Sequence, residues 1–218
     1  MACGTRYCAA EIQFGIERAE RDFERYRRRG AEDITRILLK ELRRRPLRGK
    51  ELLDIGGGIG VIGWELADAD VASTTLVEAS PAYLDVARRE VERRSASRRT
   101  KFVLGDFTLV AGTLPKADVV TLDRVVCCYP DAEALLRAAA TCTRQLLALT
   151  YPRDRWYVRV ITSVQNLMRR MRGSAFRTFV HSPQRMSSVL ESAGFVRDST
   201  RGTLVWMVDV YQRELLRE

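Results

Sequence analysis

The spacing of apolar and polar positions changes character along the chain. Residues 11 to 45 carry Phe14, Phe23, Tyr26, Ile34, Ile37, Leu38, Leu39 and Leu42 among many charges. The spacing of Ile34, Leu38 and Leu42 predicts one helical face, with an interruption at Gly30 and a stop at Pro46. "KELLDI" (50–55) then reads as a buried strand and "VIGWELADA" (61–69) as a helix. The alternation continues with a strand at "STTLVEAS" (73–80), a helix from Pro81 to about Arg94, and a strand at "TKFVLGD" (100–106). A fourth strand is predicted over "ADVVTLDRVV" (117–126), a helix over "DAEALLRAAATC" (131–142) and a fifth strand over "RQLLALTY" (144–151). Short apolar strands separated by helices of ordinary length predict a mostly parallel sheet covered on both faces. Its ligand site is expected beyond the carboxyl ends of the strands, near a reversal in strand order.

The rhythm then changes. Residues 154 to about 171 predict a helix with Trp156, Val160, Val164, Leu167 and Met171 on one apolar stripe and Arg153, Arg155, Arg159, Arg169, Arg170 and Arg172 nearby. Ser182 is suited to cap a helix that opens at Pro183, and Gly194 to end it. "FVRDSTRG" and "TLVWMVDVYQREL" read as two strands joined near Gly202, an antiparallel pair at the sheet edge. The expected organisation is a helical N-terminal extension over 1–47 and one domain over 48–218, with 152–194 as a helical insertion on the substrate side.

Composition narrows the class. With 218 residues, 46% hydrophobic and 30% charged, the chain has enough apolar material for a substantial core. A net charge of +9 favours acidic partners: nucleic acid, anionic lipid or a polyanionic small molecule. Cys3, Cys8, Cys127, Cys128 and Cys142 are odd in number and contain no C-x-x-C, so neither a disulfide framework nor a metal cluster is expected. No apolar run approaches the roughly 20 residues that span a bilayer, and "MACGTRYCAAEIQF" lacks a signal-peptide pattern; the expectation is a cytoplasmic, reducing location.

The candidate chemistry begins at "LLDIGGGIG" (52–60), where an apolar strand runs into Gly56, Gly57, Gly58 and Gly60 before a helix. Such a junction lets the backbone approach a ligand, although a tight turn alone has the same composition. Asp54 precedes the loop, and Glu78 falls at the predicted end of the second strand, where a carboxylate can accept both hydroxyls of a ribose. No lysine followed by Ser or Thr closes the loop, which argues against a nucleoside triphosphate cradle. Asp106 follows the third strand, placed to accept from an adenine amino group, with Phe107 beside it to cover the ring.

These features, in this order, resemble the class I S-adenosylmethionine-dependent methyltransferases over about residues 48 to 150, extending to the C-terminal strand pair. The resemblance implies an α/β, Rossmann-like sheet of seven strands, the last antiparallel, with helices on both faces, and S-adenosyl-L-methionine as cofactor. It implies that Gly56, Gly57, Gly58 and Gly60 bed the methionine part, with Asp54 near its amino group. Glu78, with Ala79 beside it, would hold the ribose, and Gly105, Asp106 and Phe107 would border adenine. Asp123 is counted with the cofactor residues at the end of the fourth strand.

For the methyl acceptor, "VVTLDRVVCCYPD" (119–131) occupies the rim. It resembles neither the Asn/Asp-Pro-Pro-aromatic motif of amino methyltransferases acting on bases nor the Pro-Cys nucleophile of cytosine C5 enzymes. Arg124, Tyr129 and His181 are the candidates for acceptor binding and catalysis: Arg124 to fix an anion, or instead to form an ion pair with Asp123, Asp131 or another surface acid, and His181 as a base for a phenol or alcohol, or instead a cap or packing residue. Cys127 and Cys128, on an apolar run, read first as core. The basic N-terminal region, "YPRDRW" and "FVHSPQRMSSVLESAGF" are similar to the magnesium-protoporphyrin IX O-methyltransferase subgroup, from which "LDRVVCCYPD" departs. The expectation is methyl transfer to a small molecule, anionic or aromatic, at oxygen. Alternatives are an RNA or other macromolecular acceptor, and a non-catalytic ligand- or surface-binding protein in peripheral contact with an anionic membrane. The arginines between 25 and 48 have acidic neighbours that dilute a phosphate-tracking patch, which makes nucleic acid the lesser expectation. Oligomeric state is open, with a homodimer as the first candidate.

Overall fold

The computed structural model describes residues 14–95 and 99–214. Cys3, Cys8, the start of the first predicted helix and the end of the last predicted strand lie outside them. Two helices come first, α1 (Ile16–Arg29) and α2 (Asp33–Arg43), separated at Gly30, whose φ of +72° suits glycine. There follow β1 (Glu51–Ile55), α3 (Val61–Leu66), β2 (Ser73–Glu78), α4 (Pro81–Arg93), β3 (Thr100–Leu104), α5 (Phe107–Val110), β4 (Ala117–Leu122), α6 (Ala132–Cys142) and β5 (Thr143–Pro152). The chain closes with α7 (Trp156–Met171), α8 (Pro183–Ser192), β6 (Phe195–Gly202) and β7 (Trp206–Arg213).

The seven strands lie in the order β3-β2-β1-β4-β5-β7-β6. All run parallel except β7, which is antiparallel to both β5 and β6. This is the Rossmann-like class I methyltransferase sheet that the alternation and the resemblance predict. The order reverses between β1 and β4, where Asp54 lies beside Thr121, the place at which open α/β sheets take their ligands.

Strand alternation sorts two cores. Leu53, Ile55, Val120, Leu122, Leu147 and Leu149 face α6 and α8, while Leu52, Val119, Ala148, Val208 and Val210 face α2 with Ile34, Leu38 and Leu42. α2 is therefore a covering layer of the sheet itself. α8 is another, since Met186 and Leu190 are buried in the first core; its N-cap is Ser182, whose hydroxyl accepts the Arg185 N–H. On the α2 side the apolar row turns polar at the strand ends, where Asp54, Thr121 and Thr150 are all fully buried.

Two sequence expectations change. The fourth strand stops at Leu122 because Arg124 takes a left-handed φ of +60° and donates its N–H to Thr150 Oγ1 at 2.7 Å. Residues Val126–Cys128 then form a 3₁₀ turn, folding Val125 and Val126 back into the core, so their apolarity marks a turn packed on the sheet, not more strand. The helix at 154–171 forms as α7, but only Val158 and Thr162 are buried along it. Its predicted stripe points outward, with Trp156 76% and Met171 71% exposed.

Candidate active site at the reversal of strand order

The loop between β1 and α3 owes its path to its glycines. Gly56 and Gly58 have φ near +60° and Gly60 +97°. A Cβ on Gly56 would come 2.6 Å from Val125, and one on Gly57 would meet the Asp54 carboxyl, whose Cγ lies 2.8 Å away. Gly58 differs: its nearest neighbour is the Tyr83 ring at 3.5 Å, an ordinary contact. The loop thus rests on Val125 and Asp54 below, and Gly58 faces Tyr83.

Two carboxylates hold this loop. Glu78 Oε2 accepts the Gly58 N–H and Oε1 accepts the Ser80 N–H, both at 2.9 Å. Burial raises its pKa, while the N–H groups of Ser80, Gly58 and Ala79 pull it back down. The result is an oriented acid at the end of β2, with Ala79 contributing backbone alone. Asp54 is fully buried; its Oδ1 accepts from Thr121 Oγ1 at 2.7 Å, and its Oδ2 has no protein partner. Burial pushes its pKa up to about 7, against the Thr121 hydrogen bond and with smaller contributions from Asp123 and Glu78. An orphaned buried carboxylate oxygen under a glycine loop is costly, and a bound ammonium nearby would relieve that cost.

The surroundings of Asp106 differ from expectation. Asp106 caps α5, with Oδ1 accepting from Thr108 N at 2.9 Å and from the Tyr129 hydroxyl at 2.8 Å. Phe107 is 2% exposed within the main core, so its ring is committed there and does not cover a base. Tyr129, a catalytic candidate by sequence, donates its proton to Asp106, and burial raises its pKa further from the physiological range. It is a neutral hydrogen-bonding phenol at the cofactor end and not a base.

Arg124 and Asp123 are engaged with the N-terminal helices. Arg124 pairs with Glu32 at the start of α2, which Arg25 of α1 pairs as well. Asp123 accepts Thr35 Oγ1 at 2.6 Å and Thr150 Oγ1 at 2.7 Å. These two residues tie α1 and α2 to the ends of β4 and β5, and Arg124 Nε is left buried without a hydrogen-bond partner. Cys127 and Cys128 turn their thiols onto the Arg124 carbonyl, at 3.5 and 3.6 Å, and burial beside Cys128 raises the Cys127 pKa. Cys127 is core, as its apolar setting suggests.

His181 packs against the turn after β4. Its Nε2 is 2.9 Å from the Tyr129 carbonyl, an acceptor only, so that nitrogen is a donor; in the neutral ring Nδ1 is then the acceptor. The ring stacks on Phe179, whose N–H donates to the Cys127 carbonyl at 2.8 Å. Segment 174–182 is thereby pinned to the turn after β4.

The N-terminal helices pack beside the loop and α4. The Tyr83 hydroxyl donates to Asp22, Tyr26 to Glu65 at 3.0 Å, and Ser80 Oγ to the Phe14 carbonyl at 2.7 Å. Phe14 packs edge-on against Phe176, ring centroids 5.3 Å apart, so the two walls meet. Thr121, Thr150, Thr35, Tyr83 and Asp22 are site-shaping residues that the sequence left unmarked, since a strand threonine or helix aspartate is ordinary in either setting. Among the described residues no cluster of His, Cys, Asp or Glu has the geometry of a metal site.

A sheet in this order with a glycine loop and acid at its switch point defines a class I S-adenosylmethionine-dependent methyltransferase fold. The chain belongs to the methyltransferase domain family, whose profile matches residues 23–199. Among solved structures, it is similar to the magnesium protoporphyrin IX methyltransferase of Synechocystis PCC 6803 with bound S-adenosylhomocysteine. That match has 18% identity and a TM-score of 0.69 over 90% of this chain and 96% of that one. It is similar to the putative methyltransferase of Haloferax volcanii in complex with the Trm112 methyltransferase activator, at 14% identity and TM-score 0.70, over 96% and 99%. An O-methyltransferase family protein of Burkholderia thailandensis matches at 16% identity and TM-score 0.67, over 84% of this chain and 57% of that one. No protein of curated function matches the chain in sequence.

Proposed function

We propose that this protein transfers the methyl group of S-adenosylmethionine to a small-molecule acceptor at oxygen. The observation that carries the reading is the partnerless Oδ2 of Asp54 beneath the glycine loop, with Glu78 oriented beside it. The fit is chemical: a buried acid for an ammonium, an oriented carboxylate with remaining lone pairs for ribose hydroxyls, and Asp106 for an adenine amino group. S-adenosylmethionine, when bound, supplies an electrophilic methyl on a sulfonium. The chain's own part is to hold the acceptor oxygen in line and exclude water, which the walls from α1 and 174–182 support. An acceptor arriving as a carboxylate needs no base. A phenol or alcohol would give its proton to His181 Nδ1, whose partner nitrogen is already fixed by the Tyr129 carbonyl.

The surface charge supports a small acceptor over RNA. Arg25, Arg27, Arg43, Arg44 and Arg45 all pair with carboxylates, which dilutes a phosphate-tracking stripe. A second reading takes the acceptor to be a carboxylate of a porphyrin, the substrate class in the name of the Synechocystis enzyme, and it is favoured by the near end-to-end match in length. One assay addresses both: methyl-labelled S-adenosylmethionine offered with phenols, small carboxylic acids, magnesium protoporphyrin and bulk RNA. Labelling of a small molecule with loss in His181→Gln for phenols alone is the expected result. Labelling of RNA alone, or calorimetry showing no S-adenosylmethionine binding, would sink the reading.

A further inference from the structure

Helix α7 carries its apolar side chains on the outside. Trp156, Val160, Val164, Leu167 and Met171 follow helical spacing along one face, and they are 76%, 53%, 49%, 56% and 71% exposed. Ile161 and Met168 widen the stripe. The opposite face is what holds the helix: Val158 and Thr162 are buried, and Asn166 exchanges hydrogen bonds with the Thr178 backbone at 2.8 and 3.0 Å. The stripe is thus a real surface of a docked helix, roughly 24 Å long.

Its charge is one-sided. The sequence from Trp156 to Met171 contains no acidic residue. By helical geometry Arg159 and Arg170 flank the stripe on one side and Arg172, just past the helix, on the other. Arg159 pairs with Asp154, but Arg170 and Arg172 have no carboxylate partner among the described residues. The place in the fold is equally specific. α7 leaves the carboxyl end of β5, and the Tyr157 hydroxyl donates to the Leu204 carbonyl at 2.7 Å in the turn between β6 and β7. Leu204, 82% exposed, adds an apolar side chain at the carboxyl-terminal end of the parallel strands, the end that carries the glycine loop.

We infer that the outer face of α7, with Leu204, docks this protein on an anionic phospholipid surface. An apolar stripe rimmed by arginines and free of acid matches an interfacial helix, apolar groups entering the acyl boundary and guanidinium groups meeting phosphates. A second copy fits less well, because pairing α7 with itself would oppose two arginine-rimmed faces of like charge. Docked this way, the strand ends that carry the glycine loop lie toward the bilayer, which would favour a lipophilic acceptor. That last consequence rests on the methyl-transfer reading; the binding itself does not.

Sedimentation of the full chain with vesicles tests the surface directly. Vesicles of phosphatidylcholine with about 30% phosphatidylglycerol are expected to retain roughly tenfold more protein than phosphatidylcholine alone at ~50 mM salt. The difference should shrink at ~500 mM. The exposed double variant Val160→Glu/Leu167→Glu should lose binding at unchanged melting temperature and unchanged S-adenosylmethionine affinity, and Arg170→Gln/Arg172→Gln should lose the anionic preference. Equal retention on neutral and anionic vesicles, or full retention by the Val160→Glu/Leu167→Glu variant, overturns the inference. So does light scattering that shows a dimer dissolved by that same variant without any vesicle binding.

Discussion

The carboxylate of Glu78, at the end of β2, accepts the backbone N–H of Gly58, in the loop that follows the neighbouring β1, at 2.9 Å. One side chain thereby fixes the loop that follows β1 and stands at the position expected to meet the cofactor's sugar. Its replacement by alanine leaves the Gly58 N–H without its acceptor and removes the charge. Isothermal titration is expected to show S-adenosylmethionine affinity reduced roughly ten- to hundredfold, the loss of charge-assisted hydrogen bonds worth about 1.5–3 kcal/mol. Wild-type affinity in Glu78→Ala would place the cofactor elsewhere.

The two central glycines should respond differently to the same change. Gly57→Ala drives a Cβ onto the Asp54 carboxyl and to 3.1 Å from Leu76, all of it buried, whereas Gly58→Ala meets only Tyr83 at 3.5 Å. The Gly58 variant carries a left-handed φ of +58°, a strain of about 1–2 kcal/mol. Thermal unfolding should therefore rank wild type above Gly58→Ala above Gly57→Ala; the reverse order of the two variants would contradict this account of the loop.

Asp54 should make both stability and ligand affinity depend on pH. Its folded pKa of about 7 lies above the unfolded value, so the native state holds a proton that the unfolded chain releases first. Stability relative to Asp54→Asn is therefore expected to fall as pH rises from about 4 to about 7 and to level off beyond. A cationic amino group bound at Oδ2 favours the ionised acid, so S-adenosylmethionine affinity should rise across neutral pH with proton release. Parallel stability profiles for wild type and Asp54→Asn, from denaturant titrations at each pH, would refute the assignment.

Tyr129→Phe removes the hydroxyl that donates to Asp106. A loss of about 1 kcal/mol in stability is expected, with a moderate weakening of cofactor affinity. Because the phenol stays neutral, the pH–rate profile of methyl transfer should keep its shape. A missing basic limb in the variant would restore Tyr129 to the chemistry.

How much of this was legible beforehand follows from the range over which each feature is decided. Alternation of "ELLDI", "TTLVE" and "LLALT" with helical segments dictates strands buried on both faces, and the glycines between Asp54 and Val61 dictate a junction no other residues would make. Period and backbone sterics are local, so the layered fold, the Ser182–Pro183 helix start and the antiparallel end were readable from residue order. The end of β4 was not: "LDRVV" is apolar enough for a strand, and only Thr150, distant in sequence, captures the Arg124 N–H and breaks it. Arg124, Asp123 and Phe107 look available for a ligand in one dimension. Glu32, Thr35 and the core claim them in three. The same holds for α7, where spacing fixes that Trp156 through Met171 share a face but cannot say which way the face turns. That direction is set by Asn166 meeting Thr178 and Tyr157 meeting Leu204, long-range contacts that exist only once the sheet has brought those segments together.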